Sequence, residues 1–237
     1  MPVFFNSQHL PTPQPEYVIW VDVMGIGPVM GRSLDMAANF IFKFHVAALQ
    51  APIAQVKLYP VMDGLYAATS SQQSLFAFLR SVFEECGQMF INTPAGEPLH
   101  RFIVRGALAY GPVIHGASVP NTAVRAPGMA PNVFATNQPY KAAIMLGLPM
   151  VQAHEWTRQA PPFGIYVHES ARSFAPPGQP PLHHVWWKWG AQGNPTWGAL
   201  PAALTAHYVW CRQNARAIQY EADRIAAHEE MASQYFA

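Results

Sequence analysis

The sequence predicts an α+β domain in the order βαββαβ, with its helices on one face of the sheet. Three observations predict it. Residues 17–23 (YVIWVDV) are a β-rich apolar run carrying one acid near its end. Two further β-rich runs flank Asp63-Gly64, a tight-hairpin signal. The segments from Ser33 to Gln50 and over 72–91 repeat their apolar residues at helical spacing.

Each element follows in turn. Residues 1–16 read as a leader. The first strand, 17–23, breaks at Gly25, Gly27 and Pro28, and Met36, Phe40, Phe44 and Ala47 then mark a helix. Residues 53–59 and 65–69 pair as a hairpin across Asp63-Gly64. Leu75, Phe78, Leu79, Val82 and Phe83 share one face of a second helix, and 102–110 is the fourth strand. This order closes into a ferredoxin-like palm sheet. Residues 117–139 are polar and proline-broken, a loop or insertion, with helical pattern in 140–145 and 149–158. Strands are expected at 163–168 and 184–189, and a long C-terminal helix over 199–235 with a possible break. The expected division is a leader (1–16), a main domain (17–198) and a helical extension (199–237).

Composition narrows the function. Only 11% of the 237 residues are charged, against 51% hydrophobic, which suits a well-filled core and a subunit interface. The net charge of +1, with no basic stripe, argues against a nucleic-acid partner. Cys86 and Cys211 stand alone, outside any metal-binding or disulfide spacing. No run is long and apolar enough for a membrane span, so a cytoplasmic location is expected.

The chemistry centres on two acids. A palm sheet sets the end of its first strand beside the hairpin joining its second and third, which would bring Asp22 and Asp63 together. Neighbouring buried carboxylates repel and are desolvated, so divalent cations, Mn²⁺ or Mg²⁺, are expected to neutralise them. The glycine-rich turn after Asp22 would let backbone amides approach phosphate oxygens. Asp63-Gly64 is equally compatible with a plain turn, Arg105 with a strand-end cation, and Tyr59 with an ordinary strand aromatic. The histidines show no metal-ligand spacing, and the Trp186, Trp187 and Trp189 cluster fits edge packing better than a ligand patch.

The segments YVIWVDVMGIG, KLYPVMDGLYAAT and FIVRGALAYGPVIHG resemble, in order and spacing, the three core segments of class III nucleotidyl cyclases. The resemblance spans residues 17–172. It implies that Asp22, Asp63 and the Val23 carbonyl hold two metal ions. Met24, Gly25, Ile26 and Arg105 would bind the triphosphate, and a ribose 3′-hydroxyl would attack the α-phosphorus to give a 3′,5′-cyclic nucleotide. It also implies a homodimer with shared active sites. Where adenylate cyclases of this class carry a base-reading lysine, four positions before the second aspartate, this chain has Tyr59. A phenol there suits a smaller base, and the chain resembles the pyrimidine cyclases of bacterial Pycsar antiviral systems. That resemblance implies UTP or CTP as substrate, UTP foremost, and a separate cyclic-nucleotide effector. One departure stands out: the helix pairing a transition-state asparagine with an arginine is not visible in GLPMVQAHEWTRQ, where Arg158 is one substitute. An adenylate cyclase, another palm-fold phosphoryl transferase and a silent nucleotide sensor are the alternatives.

Overall fold

Strand β1 (Gln14–Val23) lies between β3 (Gly64–Thr69) and β4 (Val104–His115), antiparallel to both. The remaining strands are β2 (Lys57–Val61), β5 (Met145–Leu146), β6 (Ile165–Val167) and β7 (Trp186–Trp187). In the computed structural model, which describes residues 10–121, 133–191 and 193–237, they form one seven-stranded sheet. Its order is β2-β3-β1-β4-β6-β7, with β5 paired to β4. The first four strands have the order expected of a βαββαβ palm. Residues 1–9 of the expected leader and 122–132 of the expected loop lie outside the described residues. Strand β1 itself begins inside the leader.

Alternation along β1 sorts its side chains. Tyr17, Ile19, Val21 and Val23 enter the main core, while Val18 and Trp20 face the other side of the sheet. Asp22 follows Val18 and Trp20 by period two and shares their face. The main core is closed by α2 (Leu34–Gln50), α3 (Gln72–Asn92), α8 (Pro195–Ile218) and α9 (Ala222–Phe236). Side-chain caps start three of them: Ser33, Ser71 and Asn194 accept from the amides of Met36, Ser74 and Trp197. Short helices α1 (Ile26–Arg32), α4 (Val133–Thr136), α5 (Gln138–Ala142) and α7 (Glu169–Ser173) complete the connections.

The fold departs from expectation on the far face of the sheet. Helices were expected on one face, but α6 (Leu148–Trp156) covers the other: Ala153 packs with Trp20 and Ala109, and the His154 ring lies 5.3 Å from Trp20. With Trp20, Tyr59, Tyr66 and Val113 on that face, leaving it in water would expose too much apolar area. The break allowed for in the long C-terminal helix falls at Gln219, which adopts a left-handed conformation (φ 53°) so that α9 turns back onto α8. Leu200, Leu204, Tyr208, Cys211 and Ile225 all join the main core, so residues 199–237 share it with the rest of the chain. Trp187 stacks on Phe76 at 4.4 Å and the buried Trp189 donates to the Phe163 carbonyl at 2.8 Å, which is edge packing. Among the described residues, no helix is long and apolar enough to cross a membrane.

Candidate active site

The β2–β3 turn is Met62-Asp63, closed by the Val61–Gly64 pair, with Met62 left-handed (φ 50°). Gly64 is required by close approach. A Cβ there would lie 2.4 Å from the Trp20 ring and 2.7 Å from the Val21 carbonyl oxygen. This contact seats the hairpin directly against β1. Asp22 sits opposite Gly64 on one side and opposite Arg105 on the other. The Val23 amide donates to the Asp63 carbonyl at 3.3 Å. Asp22, Asp63 and Arg105, distant in sequence, thus meet at one end of the sheet.

Asp22 is electrostatically uncomfortable. Burial raises its pKa above the ordinary carboxyl value, Asp63 adds to the rise, and Arg105 and Trp20 oppose it. Trp20 Nε1 donates to Asp22 Oδ2 at 3.3 Å. Arg105 Nε stands 3.5 Å from Oδ1, an ion pair but not a hydrogen bond, so both Oδ1 and Nε are buried without a hydrogen-bond partner. An orphaned carboxylate oxygen beside a second carboxylate is a donor set for a hard divalent cation. The described residues hold no cluster of three or more His, Cys, Asp or Glu side chains fit for a metal. Two carboxylates would therefore need backbone and ligand oxygens to complete a coordination sphere, as Mg²⁺ commonly accepts.

The turn after β1 leads into a cleft. The Met24 amide is engaged by the Ile103 carbonyl at 2.8 Å, Gly25 is left-handed (φ 70°), and Ile26 is the first residue of α1. Amides in the first turn of a helix lack intrahelical partners. Met24, Gly25 and Arg105 line one wall of a cleft of about 240 Å³, whose far wall comes from α8 and α9.

Tyr59 lies on the same sheet face as Asp22 but is 7% exposed, packed with Val18, Ala68, Val113 and Met145. Its hydroxyl is hydrogen-bonded to His115, which bonds to Glu16, and Lys57 pairs with Glu16 at 3.2 Å. Burial alone would raise the Glu16 pKa, but His115 and Lys57 outweigh it and the net shift is downward. His115 and Glu16 were invisible as partners in the sequence, being 99 positions apart.

Helix α6 carries neither asparagine nor arginine. Arg158 follows it in a 3-10 turn (Thr157–Gln159) and lines a recess with Arg105, Arg224 and His228. Arg224 and His228 stand four apart on α9. That i, i+4 spacing was their one sequence signal.

No protein-family model and no curated protein matches the chain. Solved structures do. A bacterial light-regulated adenylyl cyclase is 16% identical, with a TM-score of 0.50 over 70% of this chain and 46% of its own. The guanylyl cyclase domain of the RhoGC fusion protein of the aquatic fungus Blastocladiella emersonii is 16% identical over 68% of this chain and 85% of its own, at TM-score 0.45. The guanylate cyclase domain of RhGC from Catenaria anguillulae, solved with GTP, is 14% identical over 68% and 81%, at 0.46. With the strand order above, the likeness to the bacterial enzyme establishes that this chain has the α+β palm fold of cyclases.

Proposed function

We propose that the protein is a class III-type nucleotidyl cyclase that converts a pyrimidine ribonucleoside triphosphate, UTP foremost, to a 3′,5′-cyclic nucleotide and pyrophosphate. The observation that carries this reading is the meeting of Asp22, Asp63 and Arg105 at one sheet end, where an Asp22 oxygen is buried and unpartnered. Asp22, Asp63 and the Val23 carbonyl would hold two Mn²⁺ or Mg²⁺ ions, which when bound lower the pKa of the ribose 3′-hydroxyl and offset charge on the leaving pyrophosphate. Arg105, the Met24–Ile26 turn and Tyr59 divide the rest of the substrate. Arg105 balances phosphate charge, the turn approaches the phosphates through backbone, and Tyr59 meets the base. The 3′-hydroxyl gives up its proton to solvent as its oxygen bonds to the α-phosphorus, the bond from that phosphorus to its bridging oxygen breaks, and pyrophosphate departs.

The resemblance of the chain as a whole to pyrimidine cyclases supports further assignments: a cytoplasmic enzyme whose product signals to a separate effector in antiviral defence. A homodimer is part of this reading. Phe42, Val46 and Leu49 leave an apolar stripe exposed on α2, surface that a second copy could cover. CTP and ATP are the alternative substrates. The silent-sensor alternative draws on the missing asparagine and arginine of α6.

Incubation of the purified protein with each of the four ribonucleoside triphosphates and Mn²⁺, with products separated by mass, tests the proposal. Cyclic UMP is the expected product. A linear dinucleotide would point to another palm-fold transferase, and binding without turnover to a sensor.

A further inference from the structure

We infer that the C-terminal helix α9 belongs to the active site, where Arg224 and His228 join Arg105 and Arg158 in a clamp for the polyphosphate tail of the substrate. The inference rests on the cyclase reading for the identity of the ligand, but its observations are separate.

Arg105 on β4, Arg158 beyond α6, and Arg224 and His228 on α9 line one recess of about 470 Å³. Three guanidinium groups from three distant parts of the chain share this space. The ion pairs among the described residues leave Arg158 and Arg224 without an acid, and Arg105 has only Asp22. Folding has therefore gathered like charges with one carboxylate between them. Such an arrangement favours an anion of high charge density.

His228 fits the same purpose. Burial, then Arg105 and Arg224, hold its pKa down to about 4, so the ring is neutral at neutral pH. Its Nδ1 is hydrogen-bonded to the Tyr220 hydroxyl. Burial raises the pKa of that phenol, so it keeps its proton. The tyrosine thus anchors a neutral imidazole beside the arginines. Arg105, Arg224 and His228 also line the cleft that contains Met24 and Gly25, so the recess is continuous with the turn proposed to meet the phosphates.

The clamp also speaks to a gap in the sequence. Helix α6 has no arginine, and Arg158 and Arg224 supply positive charge at the same sheet end from within one chain. Both side chains are exposed, so truncating either should leave the fold intact.

The test uses inorganic tripolyphosphate, titrated calorimetrically into the full-length protein in EDTA, alongside cyclisation kinetics with Mn²⁺. Arg224→Ala and Arg158→Ala should each weaken tripolyphosphate binding by on the order of tenfold, as loss of a charge-assisted hydrogen bond predicts. Arg224→Lys should recover part of the loss. In kinetics the same variants should raise KM more than they lower kcat. Arg80→Ala, which removes equal charge from a side chain stacked over Trp187, is the control and should change nothing. Wild-type affinity in both Ala variants, or equal weakening by Arg80→Ala, would overturn the clamp while leaving the cyclase reading untouched. Conversely, tripolyphosphate binding that depends on Arg158 and Arg224 in a protein that cyclises no nucleotide would uphold the clamp and remove the cyclase reading.

Discussion

The Tyr59 hydroxyl lies 2.5 Å from His115 Nδ1, and His115 Nε2 lies 2.9 Å from the Glu16 carboxylate. This chain of contacts anchors the phenol. Glu16, its pKa lowered by His115 and Lys57 against the effect of burial, is ionised and accepts from both. Tyr59, its pKa pushed up to about 12 by burial and by Glu16, keeps its proton and is held in one position against the ring.

A phenol held in one position can favour one pyrimidine over the other, because uracil presents O4 and N3–H where cytosine presents N4–H₂ and an acceptor N3. With UTP as the proposed substrate, the protein should prefer UTP to CTP in competition, and Glu16→Gln should erode that preference by about tenfold, because a neutral amide anchors the ring behind Tyr59 less firmly. The measurement is the ratio of cyclic UMP to cyclic CMP from an equimolar mixture. An unchanged ratio in Glu16→Gln would show that the relay does not set the base.

Asp22 makes a prediction about stability as well as activity. Its folded pKa is raised, so the folded state binds this proton more tightly than the unfolded state does. The stabilisation it brings is complete below the ordinary value of 3.8 and is lost as pH rises through the higher folded value. At neutral pH without metal, the ionised group is a liability. Asp22→Asn should therefore raise the melting temperature in EDTA at neutral pH, with the gain shrinking as the pH falls towards 4. The same variant, like Asp63→Asn, should abolish cyclisation. Added Mn²⁺ should raise the melting temperature of the wild type only. Cyclisation at the wild-type rate by either variant would remove the proposed site.

The parts of the molecule that were legible in sequence are those written in local periodicity. Strand β1 follows from a β-rich apolar run, helices α2 and α3 from apolar spacings of three and four residues and the hairpin from Asp63-Gly64, and their order alone predicts the palm sheet. Asp22 stood out as the one acid inside the apolar run YVIWVDV. Partners chosen by tertiary packing left no comparable trace. Glu16 and His115 flank Tyr59 only because β1 and β4 are neighbours, and Arg224 returns to Arg105 only because Gln219 reverses the chain. The second helical layer was missed for a related reason: α6 has a weak amphipathic pattern, and its role is set by the aromatic face it covers.

Residues 199–237 are integral to the fold by their packing. Leu200, Leu204, Tyr208 and Ile225 are all buried in the main core, so a chain ending at residue 198 would expose the faces of α3 and the sheet that they cover. Removing several large buried side chains at once exceeds the ordinary margin of stability of a domain. The truncated chain should be insoluble or lack a cooperative thermal transition by circular dichroism. A cooperative transition at the wild-type temperature would show that the C-terminal helices are a dispensable addition.

Gly64 offers a way to disturb the site without altering any charged or polar group. Its missing side chain lets β3 approach Trp20 and the Val21 carbonyl, and that approach holds Asp63 beside the end of β1. Gly64→Ala would force backbone and indole apart, destabilising the protein by roughly 1–3 kcal/mol as overpacking generally does. Cyclisation should fall much further than this loss of stability explains, because a shift of about 1 Å in the hairpin separates Asp63 from Asp22. Gly31→Ala is the matching control: it is helical, with open space around its would-be Cβ, and should leave both stability and rate close to wild type. The decisive comparison is made well below the melting temperature, where the Gly64 variant is still folded. Full activity under that condition would mean that the position of Asp63 is irrelevant to the reaction.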